Sequence, residues 1–152
     1  MVKPIPDGYS TVTPYLVLND AKAAIEFYKR AFGAQELLRM PVGDRIGHAE
    51  LQIGNSRIML ADENPKMGTH SAKHYNGSPV SLVLYVEDVD SAAKNVVAAG
   101  AEIERPVQNQ FYGDRSGTFL DPFGYRWTVS THVEDVSAEE MNRRMAKMVA
   151  AD

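Results

Sequence analysis

From His48 to Ile53 the chain alternates without a break, with Ala49, Leu51 and Ile53 set against His48, Glu50 and Gln52. Successive side chains of a strand leave by opposite faces, so this pattern predicts a strand with one buried face. Gly54-Asn55 then reads as a hairpin turn, and Arg57–Ala61 as the return strand. Upstream, Ser10–Leu18 is rich in β-branched and aromatic residues and predicts a strand, with Thr13, Tyr15 and Val17 on one face. Pro14 places that strand at an edge or at its own start. A helix follows, because Ala21, Ala24, Ile25, Tyr28, Ala31 and Phe32 recur at helical spacing. Asn19 or Asp20 caps it and Gly33 stops it. Gln35–Pro41 reads as the next strand.

The same order of elements then recurs. Pro79–Val86 predicts a strand, with Ser81, Val83 and Tyr85 on one face. Asp88 or Asp90 opens a helix whose buried stripe is Ala92, Ala93, Val96, Val97 and Ala99, ended by Gly100. Glu102–Pro106 is a short strand. Another strand, a tight turn at Asp121-Pro122-Phe123-Gly124 and a last strand to Thr131 follow. Gly43-Asp44-Arg45-Ile46-Gly47 is echoed by Gly113-Asp114-Arg115-Ser116-Gly117 at an offset of 70 (113 − 43), while the helix-ending glycines stand 67 apart (100 − 33). The reading is an α+β fold of two tandem βαβββ modules, 10–62 and 79–132, in a single domain spanning 1–152. Residues 63–78 form a linker or a functional loop. A third helix at 137–150 has a capping box of Ser137 with Glu140. Its stripe of Met141, Met145 and Met148 needs the other half or another subunit to dock on.

Composition narrows the partners. Hydrophobic residues at 44% and charged residues at 24% predict a packed globule. The net charge is −4 with the signs interspersed, so no basic stripe exists for nucleic acid. The absence of Cys removes disulfides, thiolate zinc sites and a Cys nucleophile. The opening MVKPIPDGYS has no apolar signal core and no run reaches membrane-span length, so a cytoplasmic protein without a membrane partner is expected. There is no nucleophile elbow, phosphate loop or dinucleotide fingerprint.

One set of residues is Tyr15-Leu16-Val17-Leu18-Asn19-Asp20, Ala24, Phe27-Tyr28 and Phe32-Gly33. Its counterpart is Leu84-Tyr85-Val86-Glu87-Asp88-Val89-Asp90, Ala93 and Ala99-Gly100-Ala101, followed by Asp121-Pro122-Phe123-Gly124-Tyr125. Over roughly residues 10 to 132 this resembles the vicinal oxygen chelate superfamily of glyoxalase I, bleomycin-resistance proteins and extradiol dioxygenases. His48-Ala49-Glu50-Leu51, Phe111-Tyr112-Gly113-Asp114-Arg115 and Glu134-Asp135-Val136-Ser137 look like its glyoxalase-like, PhnB-like subgroup. The resemblance implies that the modules form a curved mixed sheet around a cavity, commonly at a homodimer interface. It also implies a divalent metal held by His and Glu from four equivalent strands. Those positions fall here on Thr13, Met59, Ser81 and Thr128, none of them a His or a carboxylate. Hydroxyls and a thioether are poor ligands for such an ion, so no metal or other cofactor is expected.

The remaining candidates follow from residue type. His48 and Glu50 share a strand face and could serve as a base or a relocated metal pair. A polar lining with a His–Glu hydrogen bond is the preferred reading, because two ligands do not make a metal site. His70 and His74 lie in the long loop, which reads as a lid with Met67, His70 and Tyr75 at the pocket mouth. His132 reads as an exposed residue after the last strand. In the repeated Gly-Asp-Arg, Asp114 would lock a turn through the backbone and Arg115 would pair a carboxylate or a ligand anion. Phe111 and Tyr112 are not repeated and are the better ligand contacts. The expected function is a small-molecule binding protein without the usual metal site. Its organic ligand would lie against Thr13, Tyr15, His48, Glu50, Met59, Ser81, Val83, Tyr85, Phe111, Tyr112, Arg115 and Thr128. The alternatives are a metal-dependent lyase, isomerase or dioxygenase using His48 and Glu50, and a non-catalytic dimeric scaffold.

Overall fold

The computed structural model describes residues 1–152. The first module runs β1 (Tyr15–Leu18), α1 (Ala21–Phe32), β2 (Gln35–Val42), β3 (Arg45–Ile53) and β4 (Ser56–Asp62). The second runs β5 (Leu82–Tyr85), α2 (Val89–Ala99), β6 (Glu102–Asn109), β7 (Asp114–Leu120) and β8 (Arg126–His132), and α3 (Ala138–Ala151) ends the chain. The modules form two four-stranded mixed sheets, ordered β1-β4-β3-β2 and β5-β8-β7-β6. In each sheet the first strand pairs in parallel with the fourth, and the other pairs are antiparallel.

Local chemistry sets the element ends. Asp20 caps α1 by accepting from Ala23 N at 3.0 Å, and Asp88 caps α2 by accepting from Ser91 N at 3.1 Å. Asp90 is therefore inside α2 rather than its cap. β1 starts at Tyr15 rather than Ser10, since Pro14 has no N–H to continue the ladder, although its carbonyl still accepts Met59 N at 2.9 Å. β5 starts at Leu82 rather than Pro79, because Ser78 turns the chain by bonding both backbone groups of Val80. β6 is longer than expected. It absorbs Pro106 within a register irregularity between Arg105 and Gln108, where no ladder donor is needed.

The two helices pack on each other and on the inner faces of both sheets, giving one shared core. Leu16, Leu18, Ala49, Leu51 and Leu60 meet Ala24, Ile25 and Tyr28 of α1, as period two and the helical stripe require. Phe27, Tyr28 and Phe32 of the first module interlock with Phe123 and Trp127 of the second, with ring centroids 4.4 to 6.2 Å apart. α2 buries Val89 and Val96, while Val97 stands exposed and departs from the expected stripe.

The register shows how the repeat works. Glu50 pairs with Met59 and Thr118 with Thr128, so β3 and β7 correspond at an offset of 68 (118 − 50). The Gly-Asp-Arg echo, at 70, is thus two residues out of structural register. The β6–β7 connection is longer than the turn at Gly43-Asp44, and Asp114 takes the place of Ile46 within the strand. Asp114 is buried and bonds side chains, not its own turn, whereas Asp44 is an exposed turn residue.

α3 buries none of its residues, and Met145 and Met148 are exposed. Ser137 caps it by accepting from Glu140 N at 3.2 Å, but the Glu140 carboxylate binds Arg143 and Arg144 instead of reaching back. Arg144 ties the helix down by donating to Phe111 O at 2.9 Å and to Glu134 at 2.7 Å. No helix is long and apolar enough to cross a membrane.

Candidate functional site

With the helices on the inner faces, the other face of each sheet turns outward. On the first sheet this face carries Tyr15, Met59, His48 and Glu50, and period two gives it Leu38 and Met40 from β2 as well. His48 sits between two partners: Tyr15 Oη is 2.9 Å from Nδ1, and Glu50 Oε1 is 3.1 Å from Nε2. A ring proton on Nε2 donating to Glu50, with Tyr15 donating to Nδ1, satisfies all three groups. The second oxygen of Glu50 accepts the Tyr9 hydroxyl. Tyr9 belongs to the amino-terminal arm, which thereby crosses this face, and Arg57 lies 4.7 Å above its ring. The Tyr9 hydrogen bond, followed by that of His48, holds the Glu50 carboxyl below its usual range. The sequence had offered His48 and Glu50 as a pair. It gave no sign of Tyr9, whose contact spans 41 residues.

On the second sheet the outward face carries Val83, Tyr85, Thr128, Thr118 and Asp114. Val83 and Tyr85 are 58% and 62% exposed, so an aromatic and apolar edge stands open. Thr128 and Thr118 bond each other at 3.2 Å beneath it. The buried Asp114 accepts the Tyr85 hydroxyl at 2.7 Å, and its other oxygen lies 2.9 Å from Nδ1 of His132. His132 is exposed, as expected, but it is the last residue of β8 and not a residue beyond it. Counting by twos from Thr128 through Ser130 reaches His132, and that signal was present in the sequence.

A cleft of about 840 Å³ lies beside this face, between the linker and the ends of the strands, lined by Lys73, Tyr75, Asn76, Glu104, Leu120 and Arg126 among others. Arg126 is held there by two bonds to Glu104, at 2.5 and 3.0 Å. The loop expected as a lid is divided. Tyr75 lines the cleft, whereas Met67 is exposed in a short 3₁₀ turn and His70 is not part of the lining. His70 and His74 stack with centroids 4.0 Å apart.

Thr13 lies two residues before β1 and Ser81 one residue before β5, and Met59 and Thr128 occupy matching register positions opposite Tyr15 and Val83. These four positions offer three hydroxyls and a thioether, a donor set that does not fit a hard divalent ion. No group of three or more His, Asp or Glu side chains converges elsewhere to hold one. Arg115 leaves β7 on the side opposite Asp114 and Thr118. There it grips Asp90 of α2 with two bonds of 2.9 Å, so it belongs to the helix contact and not to the outward face. Phe111 and Tyr112 form an edge-to-face pair, 5.2 Å between centroids, in the β6–β7 connection. Tyr112 lies near enough to Tyr85 to help raise its hydroxyl pKa, behind the larger effects of the Asp114 hydrogen bond and burial.

Comparison with known proteins agrees with this architecture. Two uncharacterized proteins, from Mycobacterium bovis and Mycobacterium tuberculosis, are each 37% identical over 139 residues, covering 89% of this chain and 91% and 82% of their own lengths. Among solved structures, TioX from Micromonospora sp. ML1 superposes with a TM-score of 0.65 at 29% identity, covering 82% of this chain and 99% of its own. The fosfomycin resistance protein FosX from Listeria monocytogenes shares the fold, with a TM-score of 0.62 at 17% identity over 89% of this chain and 97% of its own. The family model for the Glyoxalase/Bleomycin resistance protein/Dioxygenase superfamily matches residues 10–129. With two βαβββ modules and outward sheet faces in place, the chain belongs to that superfamily.

Proposed function

We propose that this protein binds a small organic molecule on the outward face of its second sheet, without the metal that the superfamily's enzymes use, and that it does so as a homodimer. The observation that carries the reading is the makeup of that face: exposed Val83 and Tyr85, the bonded Thr118–Thr128 pair with Thr128 where a metal ligand would stand, and, at the Leu120–Arg126 end of the same sheet, a cleft of about 840 Å³. Apolar and aromatic surface with a few fixed polar groups is what an organic ligand needs. Dimerisation is supported by the one-sidedness of the sheets. Tyr15, Leu38, Met40, Val83 and Tyr85 are all exposed on the chain, and α3 has an uncovered Met stripe. A second subunit facing these surfaces would cover apolar area and close the site. The PhnB-like subgroup and a cytoplasmic setting belong to the same reading, the latter supported by a cysteine-free chain.

A thermal-shift screen of organic acids, aromatic compounds and glycopeptide antibiotics tests this, run on the wild type and on Thr128→Trp, with sedimentation velocity for the oligomeric state. The expected result is a dimer with at least one compound that raises the melting temperature, an effect lost in Thr128→Trp. A broad screen without a hit would favour the scaffold. Stoichiometric metal in untagged protein, lost in His48→Ala and Glu50→Ala, would overturn the metal-free reading.

A further inference from the structure

Both ring nitrogens of His132 face carboxylates. Nδ1 is 2.9 Å from Asp114 Oδ1, and Nε2 is 2.9 Å from Asp135 Oδ1. An ionised carboxylate accepts and cannot donate, so with both carboxylates ionised each contact calls for a ring N–H, and both partners favour the charged ring. The two carboxylates are unlike. Asp114 is 5% exposed and is locked by the Tyr85 hydroxyl at 2.7 Å. The Asp135 side chain is fully exposed, on the connector between β8 and α3, and its one hydrogen bond is to His132. One side of the ring is therefore built into the sheet. The other is capped by a solvated carboxylate, which an exposed ion pair holds weakly.

We propose that the Nε2 edge of His132 is the anchor for the carboxylate of an organic acid, and that Asp135 occupies this position as an internal stand-in until the acid displaces it. The inference rests on the second sheet's outward face being the ligand face. His132 is directly opposite Asp114 in the β7–β8 register, and Tyr85 bridges to the same Asp114, so the anchor adjoins the exposed ring of Tyr85. Val83 and Tyr112 extend this apolar surface. The titratable groups around the ring are Asp114 from β7, Asp135 from the connector, Tyr85 from β5 and Tyr112 from the β6–β7 connection. One cation beside a buried carboxylate suits a monoanion. A phosphate dianion would meet repulsion from Asp114 without a second cation in compensation. The ligand class is thus a monocarboxylate with an aromatic or apolar body.

The test follows the His132 ring nitrogens where present, and in all three proteins the backbone amides of Tyr85, Tyr112 and Thr131, by NMR while sodium benzoate is titrated at pH 6, with benzamide as the neutral control, in the wild type, His132→Gln and Asp135→Asn. Benzoate, and not benzamide, is expected to shift the Nε2 resonance. Asp135→Asn removes the competing carboxylate and is expected to tighten benzoate by about two- to fivefold, since a weakly occupied site lowers apparent affinity in proportion. His132→Gln is expected to lose binding. No response to benzoate in Asp135→Asn, or equal affinity in His132→Gln, would overturn the anchor. A screening hit lost in Thr128→Trp but retained in His132→Gln would also overturn it, leaving the ligand face itself standing.

Discussion

Tyr28 in α1 donates its hydroxyl to Asp121 at 2.7 Å, across 93 residues and from one module to the other. The same Asp121 oxygen accepts Trp127 Nε1 at 2.9 Å, and its second oxygen accepts the backbone N–H groups of Phe123 and Tyr125, both at 2.9 Å. One buried carboxylate thus closes the tight turn, fixes the single Trp and joins the two halves. Burial, followed by the charge of Asp121, pushes the Tyr28 hydroxyl pKa well up, so it remains a donor at any ordinary pH.

Asp121→Ala leaves several buried donors without an acceptor and is expected to lower stability by about 3 kcal/mol or more. Asp121→Asn should be nearly as damaging. Either orientation of the amide turns its NH₂ toward two donors, the backbone pair or the Tyr28–Trp127 pair. Urea unfolding followed by Trp127 fluorescence measures both variants. An Asp121→Asn protein within about 0.5 kcal/mol of wild type would refute the four-donor account.

Gly113 is a second point of close approach. Its φ is +104°, and a Cβ there would fall 2.1 Å from Glu134 O. Its own carbonyl accepts Val133 N at 2.9 Å and Glu134 N at 3.0 Å, so the connector to α3 is laid against it. Gly113→Ala is expected to cost about 2–3 kcal/mol through strain and clash together. Gly33→Ala is the comparison, since its φ is +67° with open space around it and only the backbone term of about 1–2 kcal/mol applies. Equal losses in the two variants would show that the contact with Glu134 carries no weight.

Acid should release the amino-terminal arm. Because its folded pKa is depressed, Glu50 contributes stability that is fully present above its unfolded value of about 4.3 and is lost as the pH falls through the lower folded value. Protection of the Tyr9 and Ser10 amides, taken relative to their intrinsic exchange rates at each pH, should therefore fall as the pH passes below the unfolded value. Tyr9→Phe removes the largest cause of the shift, so the Glu50 midpoint should move up in a carboxyl-detected NMR titration. An unmoved midpoint would mean that the Tyr9 contact is not what holds Glu50.

The period-two run at 48–53, the helical stripe of α1 and the two glycine stops were legible, and each helix cap to one of two residues, because all depend on neighbours within a few residues. The repeat was legible for the same reason. Its strongest local echo was misleading, however: Asp44 and Asp114 match as letters, while a longer β6–β7 connection puts one at an exposed turn and the other inside a strand. Arg115 pairs a carboxylate, as one of its two readings held, but it does so on the helix face, since one residue along a strand exchanges one face for the other.

By itself, the sequence determined two βαβββ modules and which strands have a buried side. These properties follow from periodicity and residue type. Tertiary structure alone decided that the strands divide into two sheets with outward faces, that Tyr9 returns to Glu50, and that Tyr85, Asp114, His132 and Asp135 meet at one end of the second sheet. Those contacts join residues that only strand pairing and the path of the connector bring together: period two tells which face a residue takes, but not which residue of another strand stands beside it.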